Sequence, residues 1–397
     1  MTDTPVRYAS VGGLHGASTA ARDHPGMPTL FEPVQLGRLR LPNRIVMAPM
    51  GRGRADRNGT PLPYVADYYA QRAAAGLIVS EATSPAPHAA GHPYGVHWHS
   101  ADDTAAWKTV AAAVHAAGGR MTLQIMHAGR IGHPDLYGHI PLAPSPVPAA
   151  GLARTWNGPQ PYPVPREMSP SDIAGAIDDV VRCAVAAVEA GFDAVEIHGA
   201  NGYLIHQFLS STVNRRTDGY GGPPHRRVRF AVDLVEAVAA AIGAERTGIR
   251  LSPGFGLNDM SEPDAAELYP VLLEALRPVG PAYLHLVHGS DPDLVRAVRA
   301  RWEGPIVLNP GTGDLDPDAT RAVVADALAA GFDAISFGKQ FLANPDLPHR
   351  LAEGIGFNRP DPATFYQGGR QGYLDYPKAD LREGDTTSWS FSSTSSR

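Results

Sequence analysis

Two stretches, "AGFDAVEIHG" at 190–199 and "AGFDAISFGK" at 330–339, open on the same five residues. In each, an alanine-rich run ends at Gly, Phe and Asp follow, and a short apolar run begins. Gly after a helical pattern is a common stop, because it takes a left-handed backbone without a Cβ penalty. The run that follows is too short for a helix. It is apolar or β-branched through its middle, as a strand buried on both faces should be. Each stretch reads as helix end, tight turn, buried strand.

Outward from this pair, the same unit recurs. The candidate strands are "RIVMAPM" (44–50), "LIVSEA" (77–82), "RMTLQIMH" (120–127), "DAVEIHG" (193–199), "TGIRLSP" (247–253), "YLHLVHG" (283–289), "PIVLNPG" (305–311) and "DAISFGK" (333–339). Between them lie helical patterns such as "DDTAAWKTVAAAVHAAG", "SDIAGAIDDVVRCAVAAVEAG" and "DPDATRAVVADALAAG". They open with Asp or Ser and close with Gly, as N-caps and C-terminal stops do. The eight units predict an α/β fold, a closed (β/α)8 TIM barrel; a doubly wound open sheet is the alternative. Residues 128–168, after the third strand, are rich in Pro and Gly and too long for an ordinary connection. They predict an extended lid or hairpin over one barrel end. Residues 211–226 predict a second long loop. Residues 1–28 have no sustained period and 381–397 are rich in Ser and Thr. Both read as a flexible arm and tail, leaving 29–380 as one barrel domain.

Composition bounds the function. The chain has 397 residues, 43% hydrophobic and 19% charged, as soluble globular proteins do. A net charge of −6 gives no bulk attraction to nucleic acid or an anionic membrane. The single cysteine, Cys183, excludes an intrachain disulfide or a Cys-based metal site, and its alanine-rich setting reads as helix packing. No signal-peptide pattern opens the chain and no run approaches 18 apolar residues, so a soluble, cytoplasmic protein is expected. "HAAGHPYGVHWH" holds His88, His92, His97 and His99 at spacings that fit no standard metal site, and no metal is expected. No G-x-G-x-x-G follows a strand, so a Rossmann site lacks support.

In such a barrel the chemistry sits at the C-terminal strand ends. The first candidate strand ends "APMGRG", the third carries Gln124 and ends at His127, and the fourth ends at His198, followed by Asn201 and Tyr203. The fifth carries Arg250; the seventh ends "NPGTG" and the eighth "FGK". Glycines at the seventh and eighth ends suit a phosphate cradle, with Lys339 adding positive charge; plain tight turns are the alternative. Gln124 both donates and accepts, which suits the edge of a pyrimidine-like ring. Arg250 on an apolar strand needs an anionic partner. That partner is either a barrel carboxylate such as Glu81 or Glu196, or the charge near N1 of a reduced flavin.

The motifs "PNRIVMAPM", "YYAQRAAAGLIVSEAT", "HGANGYLIHQFLSSTVNRRTDGYGG", "GIRLSP" and "FGKQFLANPDL", in this order, resemble the Old Yellow Enzyme family of FMN-dependent ene-reductases, in the branch of pentaerythritol tetranitrate reductase and morphinone reductase. The resemblance runs from Leu30 to Pro377. It implies a barrel with FMN at its top and NAD(P)H as reductant. It places Pro49, Met50, Gly51 and Ala82 along the flavin ring, Gln124 and Arg250 at its pyrimidine side, and Asn309, Gly311, Gly338 and Lys339 around the phosphate. His198 and Asn201 correspond to the pair that binds the oxygen of an activated alkene, Tyr203 to the proton donor, and Tyr366, Met126 and His92 to the substrate pocket. The implied reaction is reduction of the C=C bond of an enone, enal or nitroalkene: hydride from flavin N5 to the β-carbon, a proton from Tyr203 to the α-carbon.

Four positions depart from the family pattern. Gly51 stands where Thr or Cys is common, Lys339 where Arg is common, Met126 where close relatives have Trp, and His92 where they often have Tyr. These imply a changed redox poise, a looser phosphate grip and a roomier pocket. They leave open a flavin-dependent isomerase, dehydrogenase or nitro-compound reductase of a specialised biosynthetic pathway, or a catalytically silent ligand-binding barrel. A monomer and a homo-oligomer are both compatible.

Overall fold

The computed structural model of the protein describes residues 29–379 other than 290. Its strands are β1 (Val34–Leu36), β2 (Leu39–Leu41), β3 (Ile45–Met47), β4 (Leu77–Val79), β5 (Met121–Ile125), β6 (Leu142–Ala143), β7 (Leu152–Thr155), β8 (Gly158–Pro161), β9 (Arg166–Glu167), β10 (Ala194–Gly199), β11 (Thr247–Leu251), β12 (Tyr283–Val287), β13 (Ile306–Asn309) and β14 (Ala334–Phe337). The eight expected strands, β3, β4, β5 and β10 to β14, pair in parallel in that order and close into a barrel, β14 beside β3. The open sheet is thereby excluded. The paired segments are shorter than the apolar runs, because residues such as Ala48 to Met50 leave the ladder to form the rim. The proposed flexible arm and tail lie outside the described residues.

The two A-G-F-D-A segments fold alike. Gly191 and Gly331 take positive φ, 104° and 87°, and Phe192 and Phe332 are buried. Asp193 N–H donates to Met121 O (2.9 Å) and its carboxylate accepts from Met121 N–H (2.8 Å). Asp333 does the same to Ile306, at 2.9 and 2.8 Å. Each Asp thus fastens the first residue of the neighbouring strand, β5 or β13, from both its donor and its acceptor.

Helix starts follow their caps: Asp316 caps Pro317–Ala329 as the sequence pattern placed it, and two others begin slightly earlier than read. Ser100 caps Ala101–Ala116 and Ser169 caps Pro170–Glu189, each closing a capping box with Asp103 or Asp172. Pro170 is tolerated in the first turn, where no N–H partner is missing, so the second helix begins before Ser171. Cys183 is buried in that helix. The β1–β2 hairpin plugs the N-terminal end of the barrel, with Leu36, Leu39 and Leu41 packed on Val46, Leu77 and Val307. At its turn a Cβ on Gly37 would lie 2.4 Å from Glu245 O, so only Gly fits.

The insertion over the opposite end contains the β7–β8 antiparallel hairpin and the β6–β9 pair. Residues 211–226 are stitched to it: buried Arg216 donates to Pro144 O and Met168 O. Among the described residues, no helix is long and apolar enough to cross a membrane.

Candidate active site

The barrel interior beneath the C-terminal rim is polar and closed on itself. Glu196 of β10 accepts from Gln124 Nε2 (2.7 Å), Tyr283 Oη (3.1 Å) and His285 Nδ1 (2.9 Å). His285 Nε2 then accepts from Ser336 Oγ at 2.8 Å. Burial pushes the Glu196 carboxyl up, but attraction to His285 and Arg250 and these hydrogen bonds outweigh it and hold it below the usual range. One hydrogen of the Gln124 amide goes to Glu196, which fixes the carboxamide and leaves Oε1 and the second N–H for a ligand. Glu81 of the same rim accepts from Arg52 N–H at 3.1 Å, and burial raises its pKa to about 7.

Above this layer β10 ends at His198. Its Nδ1 accepts from Ala200 N–H (3.3 Å), which leaves the proton on Nε2. Burial, then the charge of Arg250, lowers its pKa to about 3, so the ring is a neutral donor. The chain then turns sharply. Asn201 sits at φ 57° and Gly202 at φ 81°; Asn tolerates the left-handed region better than other non-glycine residues. The turn is held from three sides. Asn201 N–H donates to Ser252 Oγ (2.8 Å), Asn201 O accepts from Asn258 Nδ2 (2.8 Å), and Gly202 N–H donates to His206 Nδ1 (2.9 Å). His206 Nε2 lies 3.0 Å from buried Glu262. Asn201 Oδ1 is buried with no partner.

Tyr203 emerges from the turn with its ring against His198, centroids 5.0 Å apart, and its Oη 2.9 Å from His92 Nε2. Burial pushes its phenol well above the ordinary tyrosine value. Burial, then the charge of Arg154, lowers the His92 pKa to about 4. The trio is therefore electrically neutral over the physiological range.

Two adjoining cavities fill the rim. One, 840 Å³, is lined by Ala82, Gln124, Met126, His198, Tyr203 and His92. The other, 310 Å³, is lined by Met50, Asn309, Gly311, Gly313, Gly338 and Lys339. Pro49, Gly51, Asn201, Arg250 and Tyr366 line both. Every residue that the family resemblance placed at the flavin or the substrate thus lies on one continuous cleft; His127 does not. Tyr366 stands half-exposed at its mouth, with the Arg154 guanidinium 4.6 Å from its ring centroid.

This cleft fits a flavin mononucleotide. Gly311 takes φ 75° and lines the smaller cavity, and a Cβ at Gly338 would meet only Met50 S, at 3.7 Å, so both strand ends present backbone to that cavity, where an anion can be bound. Lys339 adds a cation. Gln124 offers an acceptor edge and Arg250 a charge on the other side of the same cleft. At Gly51 a Cβ would meet nothing within 4 Å.

The sequence reading missed several parts. Lys339 Nζ also lies 3.1 Å from Asp314, a carboxylate in a loop with no motif. His285 had a signal, a polar residue inside the apolar run "YLHLVHG". Asn258 had none. The histidine-rich segment disperses: His88 pairs with Asp179 (3.3 Å), His99 with Asp103 (3.6 Å), and only His92 reaches the cleft. His127, the end of the third candidate strand, instead lies near His88, ring centroids 5.6 Å apart, and accepts from Gly129 N–H.

The model of the NADH:flavin oxidoreductase / NADH oxidase family matches residues 29–358. A chanoclavine-I aldehyde reductase of Penicillium roqueforti is 40% identical, over 88% of this chain and 96% of its own. The 12-oxophytodienoate reductase 1 of Oryza sativa subsp. japonica is 38% identical over 88% and 92%. Among solved structures, morphinone reductase in complex with tetrahydroNAD superimposes with a TM-score of 0.84 at 40% identity, covering 90% of this chain and 99% of that one. The old yellow enzyme homologue from Zymomonas mobilis gives 0.85 at 38%, covering 88% and 99%.

Proposed function

Because the chain belongs to the NADH:flavin oxidoreductase / NADH oxidase family, and within it is an Old Yellow Enzyme homologue that uses FMN and NAD(P)H, we propose that it reduces the C=C bond of enones, enals or nitroalkenes with His198, Asn201 and Tyr203 as its reacting residues. The observation that carries this reading is the neutral His198–Asn201–Tyr203 turn at the strand end, His198 buried and the other two half-buried, facing a cleft that fits a flavin.

FMN would be held by Asn309, Gly311, Gly338 and Lys339 at the phosphate, by Gln124 and Arg250 at the pyrimidine edge, and by Pro49, Met50, Gly51 and Ala82 along the ring. When bound it supplies a two-electron carrier, taking hydride from the nicotinamide and giving it to the alkene β-carbon. His198 Nε2–H and the Asn201 side chain bind the carbonyl or nitro oxygen. Charge grows on that oxygen during the reaction, and donors fixed in a buried site stabilise it more than water would. Neutral imidazole suits the task, because it gives its hydrogen bond without surrendering the proton. Tyr203 Oη then gives its proton to the α-carbon and is reprotonated from solvent. Met126 and His92 shape the wall where the substrate sits. Arg250 and Arg154 line the larger cavity, while the donors assigned to the substrate oxygen, His198 and Asn201, are neutral.

The test is anaerobic. Purified protein with FMN is expected to be yellow, to bleach on NADPH or NADH, and to regain colour on cyclohexenone with stoichiometric saturated ketone. A protein that bleaches but is not reoxidised by any enone, enal or nitroalkene overturns the substrate class; one that binds no FMN overturns the site.

A further inference from the structure

The loop that follows β11 packs directly on the catalytic turn. A Cβ on Gly202 would lie 2.7 Å from Asn258 Cβ and 2.7 Å from Leu257 O, so the turn is Gly as much for this contact as for its φ. Asn258 and Asp259 both sit at φ 58°. Two consecutive non-glycine residues in the left-handed region cost free energy and persist where surrounding contacts hold them. Those contacts are explicit. Buried Arg130 donates to Asn258 O (3.2 Å), Asp259 O (2.7 Å) and, in the lid, Pro148 O (3.2 Å), while Ala150 N–H donates to Asp259 Oδ2 (3.0 Å).

The strained backbone delivers one carboxamide to two catalytic groups. Asn258 Nδ2 donates to the backbone oxygen of Asn201 at 2.8 Å. The same side chain lies beside the Tyr203 phenol, where it favours the ionised form, and both residues line the substrate cavity. An amide nitrogen has two hydrogens, enough for both. The phenol oxygen lies 2.9 Å from His92 Nε2, with the Asn258 carboxamide on the same cavity wall.

We propose that Asn258 is a positioning residue for proton delivery: it ties the anion-binding turn to the acid, and its N–H stabilises the Tyr203 oxygen as negative charge develops there. The step is balanced as follows. The Tyr203 O–H bond breaks and the α-carbon–H bond forms. The hydride comes from the reduced flavin of the family reaction, and the phenoxide takes a proton from water in the cleft. Burial makes that phenoxide costly, and a donor already aimed at it lowers the cost without reorganisation. Lid, Arg130, Asn258 and acid form one connected chain, so the loop does for Tyr203 what Ala200 N–H does for His198. The inference rests on Tyr203 as proton donor.

The experiment uses the FMN-loaded enzyme and separates the half-reactions by stopped flow, with cyclohexenone as oxidant. Asn258→Gly keeps the left-handed backbone and deletes the amide. It is expected to slow reoxidation by about 10- to 100-fold, the worth of a hydrogen bond to a charged group, with flavin reduction by NAD(P)H within about twofold. Asn258→Asp is expected to be at least as slow at neutral pH and to recover as the pH falls and the carboxyl becomes a donor, which a merely structural role would not do. On a Tyr203→Phe background, Asn258→Gly is expected to add less than about twofold. Reoxidation of Asn258→Gly within twofold of wild type, an Asn258→Asp profile parallel to wild type, or full additivity with Tyr203→Phe would overturn the proposal. If Tyr203→Phe itself is not slow, the proton-donor reading fails first and the two failures are told apart.

Discussion

At their N-terminal ends β10 and β14 are held in the same way. A left-handed Gly, a buried Phe and an Asp that grips the neighbouring strand occur in both. At their C-terminal ends the two strands differ in every respect that matters to chemistry. β10 delivers buried His198 and the half-buried Asn201–Tyr203 turn, neutral and wrapped in hydrogen bonds. β14 delivers Gly338 and Lys339, open backbone and a half-exposed cation beside Asp314. The lower contacts are backbone geometry, which any barrel unit needs. The upper ends carry no such duty, so one can bind an oxygen with neutral donors in a dry place and the other a phosphate with charge near water.

The largest break between the two ends is expected from chemistry. Tyr203→Phe should slow alkene reduction by about 100- to 10,000-fold, the usual worth of a positioned acid. Reduction of the flavin by NAD(P)H should stay within about twofold, as read by anaerobic stopped flow; equal loss of both steps would remove Tyr203 as the acid.

Acid should find the β10 end first. His198 has its pKa lowered to about 3 and His92 to about 4, against about 6.5 in an unfolded chain. Between those values the unfolded chain takes protons that the folded protein refuses. Stability contributed by these rings is therefore complete above about pH 6.5 and falls steadily toward pH 3. His198→Asn should flatten the dependence of Tm on pH below 6.5, and a slope unchanged from wild type would contradict the buried neutral ring.

The shared lower contacts should be equal in cost. Asp193→Ala and Asp333→Ala each leave one strand-initiating N–H without its acceptor, at about 1–3 kcal/mol. Chemical denaturation should give values within about twofold of each other, and a wide gap would show that the repeat is only sequence-deep.

The smallest effect belongs to the exposed end. Lys339→Ala should weaken FMN binding by about fivefold, and Asp314→Asn should tighten it by about twofold, since exposed pairs contribute about 0.2–1 kcal/mol. Titration of the apoprotein with FMN should show both shifts shrinking at 0.5 M salt as screening grows.

The strands were legible because a strand buried on both faces must be apolar along its length, and eight such runs separated by capped helices have few other solutions. Gln124, His198, Arg250, Gly338 and Lys339 were legible for a different reason: they sit on or just after strands, where the fold itself says to look, whereas Ala82, Met126, His92 and Tyr366 came from the family resemblance. Glu196 and His285 were half-legible as polar residues in apolar runs. That they bond each other, and so turn the Gln124 carboxamide, required the barrel to be closed. Asn258 and Asp314 were not legible, because nothing in a loop marks which side chain will meet a strand end far along the chain.

The sequence by itself determined the repeat, the barrel and the identity of the groups at its rim, since these follow from local periodicity, from residues that stop helices, and from motifs that keep their order. The tertiary structure decided their state: which nitrogen of His198 carries its proton, that its ring is neutral, and that the Tyr203 phenol meets His92. Protonation and orientation depend on burial and on partners brought from other loops, and these exist only once the chain has closed on itself.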